Sequence, residues 1–245
     1  MRVPILCPVC FYEFGVAAYE SFVEAEYQDE KCYEVTCSQG HRTLTVLELE
    51  RFEVLFEIGV HAILDGYYRE AISSFSASLE RFYEFSLAVM LSKNKEQESL
   101  FADCWKNVAH ASERQLGAFI FLWGSSFNEV PVVLSSKQSE LRNDVIHKGK
   151  IPTKEVAIKY GNMVLDILLP KIEKLKEHYS GEITEVTTAS SKRSRSKVAE
   201  KYLFDSGMGM PTLVSLRRTD IPHTKKIEDR MAWLEKSRFR KIKLN

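Results

Sequence analysis

The chain has 245 residues, of which 44% are hydrophobic and 28% charged, and its formal net charge at pH 7 is zero. This composition is typical of a soluble globular protein, with enough residues for one large domain or two small ones. No run approaches the roughly 20 apolar residues of a membrane-spanning helix, and residues 1–10 lack the layout of a secretory signal, so we expect a cytoplasmic protein with no membrane contact.

The charge is unevenly distributed along the chain. Residues 187–245 contain 15 Lys and Arg against 6 Asp and Glu, whereas residues 1–186 contain 19 against 28. A basic tail that follows an acidic body predicts one of two roles. The tail contacts nucleic acid, or it docks on the acidic body of its own or a neighbouring chain.

The sequence predicts a short β region followed by a helical region. Residues 1–43 contain cysteines and strand-like alternation, as in "YEVTC", and residues 44–180 have the periodicity of packed helices. We predict helices over roughly 44–64, 67–92, 95–123, 133–148 and 153–178, with Thr153 as the N-cap of the last one. Short connections between long helices favour antiparallel packing, so the sequence predicts a mainly α protein, a helical bundle with a small N-terminal β region.

The remaining residues divide into a linker and a tail. Residues 181–198, with the run "TTASSKRSRSK", have no apolar period and are predicted to be a basic, Ser-rich linker. Residues 199–245 are predicted to be a basic C-terminal tail with a short helix over 224–241.

Four residues of the first region have the spacing of zinc ligands. "CPVC" provides Cys7 and Cys10, and "CSQGH" provides Cys37 and His41, with 26 residues between Cys10 and Cys37. A pair of thiolates two residues apart fits two corners of a tetrahedron, so we predict a structural zinc ribbon with four protein ligands. Cys32 is an alternative fourth ligand in place of His41. A disulfide or free buried thiols are the other interpretations, and a reducing compartment disfavours the disulfide.

The stretch "RNDVIHKG" (142–149) places an arginine five residues before a histidine. Five helical steps rotate by about 500°, which leaves Arg142 and His147 about 140° apart around the helix axis. Gly149 is expected to end the helix. Histidine exchanges a proton near neutral pH, as acid–base chemistry requires, but an Arg and a His near a helix end are also common surface residues.

"LRNDVIHKGKIPT", in the second half of a helical region, resembles the signature motif of the HEPN superfamily. That motif is an arginine, then four to six residues of which the first is polar, then a histidine. Here Asn143 occupies the polar position. The upstream "DGYYREAISSFSASLERFYEF" resembles the second helix of HEPN proteins from phage-defence and abortive-infection systems. The resemblance covers roughly residues 50–178.

The resemblance implies a HEPN-type bundle over 44–180 and a metal-independent endoribonuclease. It implies a homodimer in which two motifs face each other and cleave RNA through its 2′-OH, giving a 2′,3′-cyclic phosphate and a 5′-OH. His147 would be the general acid or base, Arg142 would stabilise charge on the phosphate, and Asn143 would orient the pair or hold the phosphate. Such a protein would be a regulated toxin or an antiviral effector, with an antitoxin-like or sensor protein as a further partner.

Three points stay open at this stage. Asp144, three residues before His147, either hydrogen-bonds the imidazole or is an exposed carboxylate. Glu80 and Glu84 form a solvated pair one turn apart, or Glu84 pairs with Arg142 and positions it. The alternative to an enzyme is a non-catalytic dimeric HEPN scaffold whose zinc ribbon or basic tail binds a protein or a nucleic acid.

Overall fold

The computed structural model describes residues 1–15, 21–92, 98–198, 205–217 and 226–242. The chain divides into two compact units. One comprises Met1–Glu50 with Thr184–Met210, and the other Arg51–Ile183 with Pro211–Asn245. The protein is mainly α with small β elements, as the sequence predicts.

The first unit contains two small sheets. Strands β1 (Arg2–Leu6) and β2 (Phe22–Glu26) pair antiparallel, with the short helix α1 (Pro8–Phe14) between them in sequence. Strands β3 (Cys32–Thr36) and β4 (Arg42–Leu47) form an antiparallel hairpin. The predicted domain boundary at residues 43 and 44 falls inside β4, because "RTLTVL" is rich in β-branched residues that pair with β3.

The segment predicted as a linker is helical. Helix α8 (Ser180–Ser196) covers most of the predicted 181–198 linker. Its charged and hydroxyl side chains are compatible with a helix. Glu182 lies in the first turn and arginines lie in the last, where these charges complement the helix dipole. Strand β5 (Asp205–Met208) then pairs parallel with β4. Residues 199–204 of the predicted tail lie outside the described residues.

The second unit is a helical bundle. Its helices are α2 (Arg51–Leu64), α3 (Tyr68–Ser92), α4 (Glu98–Val108), α5 (Ser112–Phe127), α6 (Ser136–His147), α7 (Lys154–His178) and α9 (Ile227–Ile242). Helix α3 is central and packs against α2, α5, α6 and α7. The predicted helix over 95–123 is in fact two helices, α4 and α5, with a break at residues 109–111. The Thr153 side chain caps α7 as predicted, accepting a hydrogen bond from the Val156 N–H.

Two glycines let the central helices approach closely. Phe75 of α3 is fully buried, and its ring lies 2.5 Å from where a Cβ atom would stand on Gly59 of α2. A Cβ on Gly161 of α7 would stand 2.6 Å from the same ring and 2.2 Å from Ile227 Cδ1. Both positions therefore require the absence of a side chain, and the core is formed around one phenylalanine held by three helices.

The C-terminal segment is docked on the bundle and is not a free tail. The backbone N–H of Leu216 donates to buried Glu53 of α2 at 2.9 Å. Arg230 of α9 forms a buried ion pair with Glu57 of α2, through its Nε at 2.9 Å and its Nη2 at 2.6 Å. The same Nη2 donates to the Pro211 carbonyl at 2.6 Å. The sequence predicts that the tail contacts nucleic acid or docks on acidic residues. Residues 211–217 and the start of α9 dock on acidic residues of their own chain.

Residues 218–225 of the predicted tail lie outside the described residues. Among the helices in the described ranges, none combines the length and the apolar character that crossing a membrane requires.

Candidate functional site

A group of three cysteines and one histidine in the first unit could hold a metal ion. Cys7 precedes α1, which begins with Pro8, and Cys10 lies in the first turn of that helix. Cys37 and His41 flank the turn between β3 and β4, where Gly40 has φ of +82° and its N–H donates to the Cys37 carbonyl at 2.9 Å. A left-handed residue is required there, which explains the glycine directly before the histidine.

The distances within this group match a tetrahedral metal site. Cys10 Sγ lies 3.7 Å from Cys37 Sγ, and His41 Nδ1 lies 3.9, 3.4 and 3.7 Å from the sulfurs of Cys7, Cys10 and Cys37. Metal–sulfur bonds of about 2.3 Å in a tetrahedron place neighbouring ligand atoms about 3.8 Å apart. All four ligand atoms lie within 4.8 Å of one another.

The predicted ligands Cys7, Cys10, Cys37 and His41 are therefore brought together by the fold. Cys32, the alternative fourth ligand, begins β3 opposite Val46 and is not a member of the group found among the described residues. Its side chain is separated from the group because strand β3 extends between Cys32 and Cys37.

Burial and hydrogen bonds act differently on two of the thiols. Burial and the neighbouring thiols of Cys37 and Cys7 raise the pKa of Cys10 to about 12. Burial also acts to raise the pKa of Cys37, but backbone hydrogen bonds from Gln39 and His41, together with hydrogen bonds from the Cys10 and Cys7 thiols, outweigh it and lower that pKa to about 7. Of these two thiols, Cys37 is therefore the one favoured in the ionised form that binds metal.

The arginine–histidine motif lies on helix α6 of the second unit. Ser135 and Gln138 form a capping box at the start of this helix. Gly149 has φ of +71°, and the N–H of Lys150 returns to the Asp144 carbonyl at 3.1 Å. Helix α6 therefore ends at His147, one residue before the predicted end at 148, and Gly149 follows it as the expected helix stop. A defined cap at each end fixes the register of the motif residues.

Arg142 is held by a half-buried ion pair with α3. Its Nη2 donates to Glu80 Oε1 at 2.5 Å, and its Nη1 donates to Asn143 Oδ1 at 3.0 Å. Glu84, the residue predicted to pair with Arg142, instead pairs with Arg81 on its own helix. The prediction is wrong by one helical turn because periodicity shows that both glutamates share a face of α3 but does not show which one α6 crosses.

Asp144 pairs with lysines and does not hydrogen-bond the histidine, one of the two roles that the sequence left open. Its carboxylate contacts Lys148 Nζ at 2.9 Å and Lys150 Nζ at 3.4 Å, and the hydrogen bond from Lys148 is the main cause of its lowered pKa. His147 is exposed, and its side chain has no hydrogen-bond or ion-pair partner among the described residues. Within one chain, the fold therefore positions Arg142 firmly and leaves the imidazole of His147 free to meet another group.

A cleft of about 260 Å³ opens beside Arg142, between α3, α5 and α6. Ser76, Leu79, Glu80 and Tyr83 of α3 line it, together with Arg142 and Asn143 of α6. His147 is not among the lining residues. Sequence analysis did not identify Tyr83, although its position four residues after Leu79 on the core side of α3 places it next to Glu80.

The polar groups behind the cleft are buried hydroxyls. The Tyr160 hydroxyl lies 2.8 Å from Ser76 Oγ, and burial raises the pKa of Tyr160 despite the hydrogen bond from Ser76 and the nearby charge of Arg142. Burial, with Tyr160 and Glu80 nearby, also raises the pKa of Tyr83. Both phenols therefore stay protonated at neutral pH and act as neutral hydrogen-bonding groups.

Comparison with known proteins gave no match to a family model, to a curated protein or to a solved structure. Function is therefore inferred from the geometry of these two sites.

Proposed function

We propose that the protein is a metal-independent endoribonuclease of HEPN type, with an N-terminal zinc ribbon. The observation that carries the proposal is the position of Arg142. Its guanidinium is anchored by Glu80 and Asn143 at the edge of a cleft, and its other three N–H donors have no hydrogen-bond partner among the described residues. A fixed guanidinium with free donors is suited to stabilising the charge on a phosphate in the transition state.

His147 supplies the proton transfer in this proposal. It is exposed at the end of the same helix, about 140° around the axis from Arg142. Arg142 lines the cleft and His147 does not, so we infer that the active unit is a homodimer in which the motif of a second copy completes the site. Ile151, four residues after His147, is 76% exposed and is available for that contact.

The chemistry follows from these roles. One imidazole removes the proton of the ribose 2′-OH, which attacks the adjacent phosphate, and Arg142 stabilises the charge on its non-bridging oxygens. The bond from phosphorus to the 5′ oxygen breaks, and that oxygen takes a proton from a His147 imidazolium or from water as it leaves. The products are a 2′,3′-cyclic phosphate and a 5′-OH, and no metal ion takes part.

The test is cleavage of a labelled RNA by the purified chain, with brief exposure to EDTA. His147→Ala and Arg142→Ala should each lower the rate by about 100-fold or more. Mixing the two inactive variants should restore partial activity, because a mixed dimer combines the arginine of one chain with the histidine of the other. Cleavage by both variants at the wild-type rate would exclude these residues.

We also propose that the ion held by Cys7, Cys10, Cys37 and His41 is zinc with a structural role. Three thiolates and one imidazole are a ligand set that zinc prefers, and four protein ligands leave no open position for substrate. Purified protein should contain one zinc per chain. Cys37→Ser should lose it, whereas Cys32→Ser, which changes a cysteine outside the group, should keep it.

One observation favours a second candidate, a non-catalytic dimeric scaffold. Glu80 already neutralises Arg142, and His147 lies outside the cleft. Expression in cells distinguishes the two functions. A ribonuclease should arrest growth, and His147→Ala should relieve the arrest, whereas a scaffold should affect growth equally in both forms.

A further inference from the structure

The cleft beside Arg142 has a size and a lining that phosphate chemistry alone does not require. Its volume of about 260 Å³ corresponds to roughly nine water molecules and is just below the roughly 300 Å³ at which sites for drug-sized ligands begin. A group of the size of one nucleobase fits such a space, and two stacked bases do not.

Tyr83 presents a hydroxyl to this cleft. The residue is only 4% exposed and lines the cleft, and its hydroxyl has no hydrogen-bond partner among the described residues. The hydroxyl oxygen is not one of the fully buried polar atoms that lack a partner, so it is open to the cleft. Its ring is held firmly, with the Phe119 ring centroid 4.5 Å away. A ligand in the cleft can therefore hydrogen-bond this hydroxyl.

The rest of the lining combines apolar faces with polar edges. Leu79, Leu116 and Leu134 provide flat apolar surface, and Ser139 and Asn143 stand at the side of α6. The Asn143 Oδ1 atom is bound by Arg142, so its Nδ2 hydrogens remain as donors. A planar ring with hydrogen-bonding groups on its edge is the complementary ligand, since its faces contact leucines while its edge meets Tyr83 and Asn143.

We propose that this cleft binds the base of the nucleotide adjacent to the phosphate held by Arg142 and thereby gives the enzyme a base preference. This inference rests on the proposed function, because Arg142 links the base site to the phosphate. Glu80 has a part in both sites, as it anchors the guanidinium and lines the cleft. The base site accordingly selects where an RNA is cut.

The experiment measures binding and cleavage separately. The four nucleoside 3′-monophosphates are titrated by calorimetry into the full-length His147→Ala chain, which prevents turnover. One base should bind at least about tenfold more tightly than the weakest. Adding Tyr83→Phe removes only the hydroxyl. It should weaken binding of the preferred nucleotide about two- to tenfold, the range for one hydrogen bond. Tyr33→Phe is the matched control, because Tyr33 is equally buried in the other unit and already bonds the Gln28 N–H.

Cleavage of a randomised RNA then identifies the occupant. Tyr83→Phe in the otherwise wild-type chain should relax the base preference next to the cut without changing the product ends. Equal binding of all four nucleotides, or no binding, overturns the base site even where RNA is cleaved. Selective binding with unchanged cut sites assigns the cleft to a free nucleotide and overturns the inference. Selective binding by a chain that cuts no RNA refutes the ribonuclease function, and with it the placement of a substrate base in this cleft.

Discussion

Arg230→Met tests whether the C-terminal segment is an integral part of the helical bundle. The Arg230 side chain is 4% exposed and that of its partner Glu57 is 1% exposed. The substitution removes both hydrogen bonds to Glu57 and the one to the Pro211 carbonyl. Removing one partner of a buried ion pair costs about 3–5 kcal/mol, because the other charge remains buried. We expect a loss of that size in the free energy of unfolding at pH 8.

The loss should depend on pH in a defined direction. Burial raises the pKa of Glu57, and Arg230 is the main influence that lowers it. In Arg230→Met the pKa of Glu57 in the folded state rises further above its unfolded value. A group whose pKa is higher in the folded than in the unfolded protein makes its full contribution to stability below the unfolded pKa. It loses that contribution as pH rises through the folded pKa. The free energy of unfolding of the variant should therefore be closest to that of wild type near pH 4–5. As pH rises, the difference between them should grow by up to about 1.4 kcal/mol per pH unit.

Urea unfolding at pH 5 and pH 8 measures both effects. Arg195→Met is the matched control, since Arg195 pairs with Asp205 at 2.8 Å in a partly exposed position and should cost at most about 1 kcal/mol. Replacing Glu57 by Leu together with Arg230→Met should recover much of the loss, because neither member of this ion pair remains as an unpaired buried charge. If Arg230→Met costs no more than the control at pH 8, the segment is not docked as described.

Three further outcomes are expected. Gly161→Ala should destabilise the protein by about 1–3 kcal/mol through overpacking, whereas Gly117→Ala, which has open space around it, should be neutral or stabilise by up to about 1 kcal/mol, as thermal unfolding will show. His41→Ala should lower the metal content measured by mass spectrometry to well below one ion per chain; retention of a full ion would mean that His41 is not a ligand. Glu80→Gln should lower the kcat of RNA cleavage about tenfold without changing the melting temperature, and Glu84→Gln should leave kcat unchanged; equal effects would contradict the role of Glu80.

The sequence predicts the local features of this protein well and the pairing between distant elements poorly. The helix end at His147 and the cap at Thr153 are set by neighbouring residues, so short motifs are sufficient to identify them. The four residues of the metal group are also found from spacing, because each pair of ligands is local. The partner of Arg142 depends on how α6 crosses α3, and one turn along α3 separates Glu80 from Glu84.

The predicted linker and tail differ from the structure for a related reason. A Ser-rich basic run has no apolar period of its own, yet residues 180–196 are helical. The basic tail appears unattached in the sequence because its partners, Glu53 and Glu57, lie more than 150 residues earlier in α2. Acidic residues within an apolar helix are the available signal, since a buried carboxylate requires a partner from elsewhere in the chain. Deleting residues 187–245 would therefore remove part of the bundle as well as basic charge.

The most direct test of the central claim is cleavage of two RNAs that differ by one oxygen. An RNA with a mapped cut site is compared with the same strand carrying a 2′-deoxyribose at the nucleotide that supplies the attacking hydroxyl. The proposed chemistry predicts that the all-ribose strand gives a 2′,3′-cyclic phosphate and a 5′-OH, that the deoxy-substituted strand is uncut at that position, and that His147→Ala cuts neither. Cleavage of the substituted strand at the same position, or products that carry a 5′-phosphate, would contradict it.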